Sequence, residues 1–194
     1  DLDKIAVYVA ECRELGIEVL PPDVNSSVFD FSIIDQPDGK AAIRFGLGAI
    51  KNVGQAPVDE IIQGRGNQPF DSIDDFARRV DLRKVGKRPL ECLIKVGALD
   101  ELGERGAILA GLDQIVNIST AHFKAKETGQ LDLFGGGLVD EQPMIVLPFT
   151  ARMSKNEQLD WEKELLGLYV SDHPINAILK QIKDKITHFS NALS

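Results

Sequence analysis

The sequence predicts a mainly α-helical fold with a small antiparallel β element, an α+β arrangement, on three observations. Apolar residues alternate on either side of a turn signal between residues 28 and 45, they recur at helical spacing through most of the remainder, and one thirteen-residue unit occurs twice.

The elements follow in chain order. Ile5, Tyr8, Val9, Cys12 and Leu15 share a helical stripe that stops at Gly16, which predicts a helix over residues 3 to 15. GIEVLPP then reads as a strand ended by prolines. Phe29, Phe31 and Ile33 alternate, Asp38-Gly39 supplies a turn, and Ala41, Ile43 and Phe45 alternate again, so residues 28 to 45 read as a hairpin. From Leu47 to about Ala98 the spacing predicts short helices joined by tight glycine-containing turns, followed by a helix from Ala107 to Lys126. Gly129 to Pro148 holds three successive glycines and two prolines, the composition of an exposed loop or linker. Ser154 with Glu157 is a capping-box pair opening a helix through Trp161 and Leu165 that Gly167 ends. Ser171 or Asp172 caps a last helix with Ile175, Ile178, Leu179, Ile182 and Ile186 on one stripe. The expected organisation is therefore 1–46 for the N-terminal helix and small sheet, 47–128 for the repeated units and the helix after them, 129–150 for the loop, and 151–194 for the C-terminal helices. Together these read as one compact domain, and the initial Asp in place of Met suggests a piece of a longer chain.

Composition narrows the function. With 194 residues and 43% hydrophobic content the chain can bury a sizeable core. It has no apolar run long enough for a membrane span and no signal-peptide layout, and its two cysteines, Cys12 and Cys92, suggest neither a disulfide framework nor a zinc cluster. A reducing cytoplasm is the expected location, with no membrane partner. The net charge of −8 opposes whole-surface attraction to nucleic acid, so any phosphate contact must be local. One window qualifies: Arg78, Arg79, Arg83, Lys84, Lys87 and Arg88 stand against Asp81 alone, a pattern that a solvated charged face would also produce.

The repeat lies across that window. IKNVGQAPVDEII (50–62) and LRKVGKRPLECLI (82–94) align without a gap, 32 residues apart, with Val, Gly, Pro and the final Ile identical. Ile50 matches Leu82, Val58 matches Leu90 and Ile61 matches Leu93. Each copy reads as a helix ending in a tight turn followed at once by another helix. Gly54 and Gly86 suit such a turn because glycine tolerates positive φ, and Asn52 is the next most tolerant type. Pro57 and Pro89 fall in the first turn of the following helix, where a missing N–H costs little. A turn of this kind aims backbone N–H groups outward at a helix N-terminus, an anion site that suits a DNA phosphate and reads no sequence.

These residues resemble the helix-hairpin-helix family, with Asn52 and Lys84 in place of its first glycine and Val58 and Leu90 in place of its small residue. The resemblance implies a tandem helix-hairpin-helix domain. The expected DNA-binding residues are Lys51, Asn52, Val53, Gly54 and Gln55 in the first copy, and Arg83, Lys84, Val85, Gly86, Lys87 and Arg88 in the second. The second copy is expected to grip harder, because the first has Lys51 set against Asp59 and Glu60. Hairpins that only pack are the competing reading.

Within the loop, Gln130, Leu131, Asp132, Leu133 and Phe134 place apolar side chains where composition predicts exposure. Gln130 can supply a directional amide hydrogen bond while Leu133 and Phe134 fill a partner's cavity; alternatively the loop folds back on its own domain. This pentapeptide resembles the bacterial sliding-clamp-binding peptide. Burying two such side chains yields roughly 1.5–3 kcal/mol each before ordering costs, so the peptide alone would bind at about micromolar strength at best. Simultaneous DNA binding would strengthen the hold through effective concentration.

The order of the parts is more specific than any one of them. AECRELGIEVLPPDVN, IRFGLGAIKNVG, DLRKVGKRPLECLIKVGALD, GQLDLFG and EKELLGLYVSDHPI together resemble the bacterial DNA polymerase III alpha subunit family, the replicative C-family polymerases. The likeness lies in the region after the fingers that carries the hairpins and the clamp peptide. Asp172 and Gly86 stand where Gly and Asn are expected in many relatives. The resemblance implies a DNA-directed DNA polymerase, a nucleotidyltransferase whose magnesium ions are held by aspartates of a polymerase domain. It also implies primer-template duplex, the sliding clamp (beta subunit) and other polymerase III holoenzyme subunits as partners.

No catalytic or metal site is expected in this chain. Asp71, Asp74 and Asp75 open a helix and read as capping and dipole compensation. His122, His173 and His188 have no ligand spacing, and GLGAIKNVG lacks the ending of a phosphate loop. Two alternatives stay open: a DNA-repair enzyme using Asp59 or Lys95 beside a hairpin, and a structural interaction domain.

Overall fold

The computed structural model describes residues 2–37, 39–128, 144–150 and 153–170. Leu2–Glu14 forms helix α1, and Gly16, at φ 73°, turns the chain into strand β1, Glu18–Leu20. Of the predicted stripe Val9 is buried and Ile5 and Cys12 are half-buried, while Tyr8 and Leu15 face solvent, so α1 rests on the sheet through a narrower face than its spacing suggests.

Strands β2, Ser32–Asp35, and β3, Ala41–Arg44, are the arms of the predicted hairpin, antiparallel with Ile33 opposite Ile43. Gly39 has the positive φ of the expected turn, and Asp38 lies outside the described residues. β1 lies on the other side of β3 and runs parallel to it, Val19 opposite Ile43. The sheet is thus mixed where the sequence predicts an antiparallel element, because the hairpin offers its second strand to β1. Alternation does not ensure burial here: Ile33 is exposed, and the buried residue of β3 is Ala42.

A single turn of 3-10 helix, Leu47–Ala49, leads into α2, Gln55–Arg65. Then come α3, Ile73–Arg79, the four-residue α4, Leu82–Val85, and α5, Lys87–Lys95. The shared apolar positions of the repeat all point inward: Ile50 and Leu82, Val53 and Val85, Val58 and Leu90, Ile61 and Leu93 are buried in one cluster. At roughly 1.5–3 kcal/mol for each fully buried side chain, this cluster is what the repetition builds.

The stretch predicted as one helix from Ala107 to Lys126 is two, α6, Arg105–Ala110, and α7, Leu112–Glu127. Gly111 separates them, and a β-carbon there would come within 3.0 Å of Leu147 Cδ2. The glycine at the break leaves room for a segment far along the chain. That segment, residues 144–150, has no regular structure but is anchored: Asp74 Oδ1 and Oδ2 accept the Ile145 N–H at 3.1 and 3.0 Å, and Ile145 is buried. Ser119 of α7, fully buried, accepts the Leu82 N–H at 3.1 Å and donates to Val80 O at 2.8 Å, bridging the gap between α3 and α4.

The last described helix is α8, Lys155–Leu166. Its capping box forms as predicted: Ser154 accepts from Glu157 N–H, Glu157 accepts from Ser154 N–H, and Gly167 ends the helix in the left-handed conformation. The predicted last helix, with its stripe from Ile175 to Ile186, and His173 and His188 lie outside the described residues. Among the described residues no helix is long and apolar enough to cross a membrane.

Candidate nucleic-acid interface

Both copies of the repeat end in a helix start that no side chain caps. In the first copy the chain leaves the 3-10 turn, passes through Asn52 at φ 68°, and enters α2 with Gly54 as N-cap. In the second, Gly86 at φ 83°, ψ 149° is at once the C-cap of α4 and the N-cap of α5. Neither glycine offers a side-chain acceptor to the first turn of its helix, so N–H groups there are left for solvent or an anion. Pro57 and Pro89 occupy the third helical position, and the fourth returns to the cap, Val58 N–H to Gly54 O at 3.4 Å and Leu90 N–H to Gly86 O at 3.2 Å.

The two turns are not congruent. The positive φ sits at Asn52 in the first copy and two residues further on, at Gly86, in the second; Gly54 is extended at φ −96°. Lys84, which aligns with Asn52, is helical. The predicted need for glycine is thus real at Gly86, and at Gly54 a β-carbon would meet open space in an ordinary conformation.

Of the predicted contact residues, Lys51, Asn52, Gly54, Gln55, Arg83, Lys84, Lys87 and Arg88 are exposed, and Gly86 is half-buried. Val53 and Val85 are buried, and their N–H groups donate within the chain, to Ile50 O and Asp81 O. The copies touch: Asn52 Nδ2 lies 3.6 Å from Cys92 Sγ on α5. The first turn is also held from behind, Lys51 N–H donating to Leu165 O at 2.9 Å.

The basic window carries far less free charge than its sequence suggests. Five of its six cations are paired: Arg78 with Asp74, Arg79 with Asp75, Arg83 with Asp81 and Glu127, Lys84 with Glu60, and Lys87 with Asp113. Arg79 also donates to the carbonyls of Gly64, Arg65, Gln68 and Pro69, a structural role in closing the loop before α3. Arg88 is exposed and makes no ion pair among the described residues. Hydrogen bonding to Arg83 holds the Asp81 and Glu127 carboxyls below their usual range, and hydrogen bonding to Asp81, then Glu127, raises the Arg83 guanidinium. Asp113 likewise raises Lys87.

At the start of α3, Asp74 and Asp75 stand in the first turn as dipole compensation requires, but the cap is Ser72 and not an aspartate. Ser72 caps the helix by accepting Asp75 N–H, Asp75 accepts Asp71 N–H, and Asp74 anchors Ile145. Among the described residues no group of three or more His, Cys, Asp or Glu side chains is placed to hold a metal. The proposed clamp peptide, Gln130 to Phe134, lies outside the described residues.

By fold and by its paired hairpins the chain is a helix-hairpin-helix protein, and the family model described as "Helix-hairpin-helix motif" matches residues 16–109. Its full-chain relatives are more specific. It is 39% identical over 184 residues to the DNA polymerase III subunit alpha of Vibrio cholerae, 40% over 185 to that of Escherichia coli K12, and 42% over 183 to that of Mycobacterium leprae. These matches cover 93%, 93% and 92% of this chain and 15%, 16% and 15% of those proteins. The chain corresponds to a segment of these bacterial DNA polymerase III alpha subunits and spans about 15% of their length.

Proposed function

We propose that this chain holds duplex DNA without regard to sequence and tethers a bacterial replicative polymerase to its sliding clamp for processive synthesis. The observation that carries the reading is the pair of helix starts after Gly54 and Gly86 that no side chain caps, one in each copy of the repeat. Phosphate oxygens accept from the first-turn N–H groups, with Lys51 and Arg88 as exposed cations beside them. Arg83 and Lys87 reach phosphate by exchanging an exposed carboxylate for it, which is inexpensive because such surface pairs are worth little, whereas Lys84 is paired with the largely buried Glu60.

Gln130, Leu131, Asp132, Leu133 and Phe134 form the clamp contact in this reading, and catalysis with its magnesium ions belongs to another part of the full-length polymerase. The protein acts in the cytoplasm, on primer-template DNA and with the other holoenzyme subunits. A repair enzyme using Asp59 or Lys95 has less support: Asp59 accepts from Gln55 at 2.6 Å, and Lys95 pairs with Glu91 at 2.7 Å and lies over the Trp161 ring.

The test is binding of this chain to purified clamp and, separately, to primed duplex. Gln130→Ala with Phe134→Ala should abolish clamp binding and leave DNA binding intact. Lys87→Glu with Arg88→Glu should weaken duplex binding by about tenfold or more at moderate salt. A parent chain that does not bind clamp overturns the tethering role, and unchanged duplex affinity in the second variant removes the second hairpin from the interface.

A further inference from the structure

Arg83 is held along two edges. Its Nε and Nη2 face Asp81 Oδ1 and Oδ2 at 2.8 and 2.7 Å, and its Nη1 and Nη2 face Glu127 Oε2 and Oε1 at 3.2 and 2.6 Å. The two carboxylates differ in what else they do. Asp81 is buried and caps α4 through the Arg83 N–H, so it is part of the fold. Glu127 is 62% exposed, and among the described residues its carboxylate bonds to Arg83 alone.

Glu127 also stands in the last turn of α7, where an anion opposes the helix dipole, so the helix itself gives no reason for a carboxylate there. At the other end of α7, Asp113, 80% exposed, holds Lys87 Nζ at 2.6 Å. One helix thus sets a carboxylate on a cation at each side of Gly86. A carboxylate meeting a guanidinium through two oxygens uses the fork geometry that a phosphate uses. With Asp81 fixing the inner edge of Arg83, the outer edge is a ready anion seat, and Glu127 occupies it.

We propose that Glu127 and Asp113 are affinity-setting residues: built-in phosphate surrogates that occupy the anion seats of Arg83 and Lys87 and must be displaced when a DNA phosphate enters them. The inference rests on the duplex-binding reading above. Displacement keeps the grip shallow, since every phosphate gained costs an internal pair. It also makes binding reciprocal: DNA on the second hairpin releases the end of α7, and stronger pairing by α7 weakens DNA binding.

The experiment is anisotropy titration of a labelled primed duplex with this chain, at several salt concentrations. The variants are Glu127→Gln, Asp113→Asn, Arg83→Ala, Lys87→Ala and the pair Glu127→Gln with Arg83→Ala; Glu11→Gln, on the exposed face of α1, controls for net charge. Glu127→Gln should tighten binding roughly two- to fivefold, the worth of an exposed ion pair, and Asp113→Asn somewhat less. Each should steepen the salt dependence by about one counterion. The gain from Glu127→Gln should vanish when Arg83 is Ala. Parent-like affinity for Glu127→Gln and Asp113→Asn, with weaker binding by Arg83→Ala and Lys87→Ala, overturns the inference and leaves the duplex reading standing. Equal tightening by Glu11→Gln overturns it too. If neither Arg83→Ala nor Lys87→Ala changes affinity, the second hairpin does not hold DNA and both readings fall. Thermal melts of each variant show whether a lost affinity is a lost fold.

Discussion

The first hairpin turns on Asn52 and the second on Gly86, two residues apart in the aligned repeat. Their buried positions match almost side chain for side chain, from Ile50 with Leu82 to Ile61 with Leu93. A helix-to-helix corner can therefore be reached by two backbone routes, provided the same apolar residues arrive in the core. One route spends a non-glycine residue in the left-handed region; the other sends a glycine through a conformation that L side chains rarely adopt.

The strongest way to break this comparison is to add a methyl group at each glycine. Gly86→Ala should destabilise by about 1–3 kcal/mol through backbone strain alone, because its β-carbon meets nothing closer than Pro89 Cδ at 3.6 Å. Gly54→Ala should change stability by less than about 0.5 kcal/mol. Urea melts of the two variants measure the difference, and equal losses would mean that the turns are equivalent after all. Next in size, Asn52→Ala should cost about 1 kcal/mol, since alanine lacks asparagine's tolerance of the left-handed region and loses the Cys92 contact. Asn52→Gly should be close to neutral in the same melts. If Asn52→Gly costs as much as Asn52→Ala, the contact and not the backbone sets the residue.

The smallest effect is electrostatic and belongs to the second hairpin. Asp81 and Glu127 are held below ordinary values of 3.8 and 4.5 by Arg83, so they remain charged in the folded chain where the unfolded chain takes up protons. Their contribution is present above those ordinary values and is lost as pH falls through the lower folded values. Stability measured from pH 5 down to pH 3 should therefore fall less steeply for Arg83→Ala than for the parent. Parallel slopes would show that the pair does not outlast its exposure to water.

What could be read from the residues was what is local. Ser154 with Glu157 capped a helix as their spacing required, and Asn52 and Gly86 marked positive φ. The duplicated unit predicted its own core. The charge state of the second hairpin was not legible, because Glu60, Asp113 and Glu127 lie 24, 26 and 44 residues from the cations they hold. The close approach at Gly111 was hidden for the same reason: its neighbour Leu147 lies far along the chain. Alternation in β2 and β3 located the hairpin but not its faces, since α1 covers too little of the sheet to bury Ile33.

The backbone bond from Lys51 N–H to Leu165 O, with the bond from Ile145 N–H to the Asp74 carboxylate, bears on where this segment can be divided. A chain cut after Thr128 would retain every residue of both hairpins yet lose the strut behind the first turn and the clasp on α3. Such a piece should expose the Lys51 amide to hydrogen exchange before the Leu82 amide, which Ser119 still holds. The unit that shares contacts is therefore longer than residues 16–109, over which the helix-hairpin-helix pattern is found.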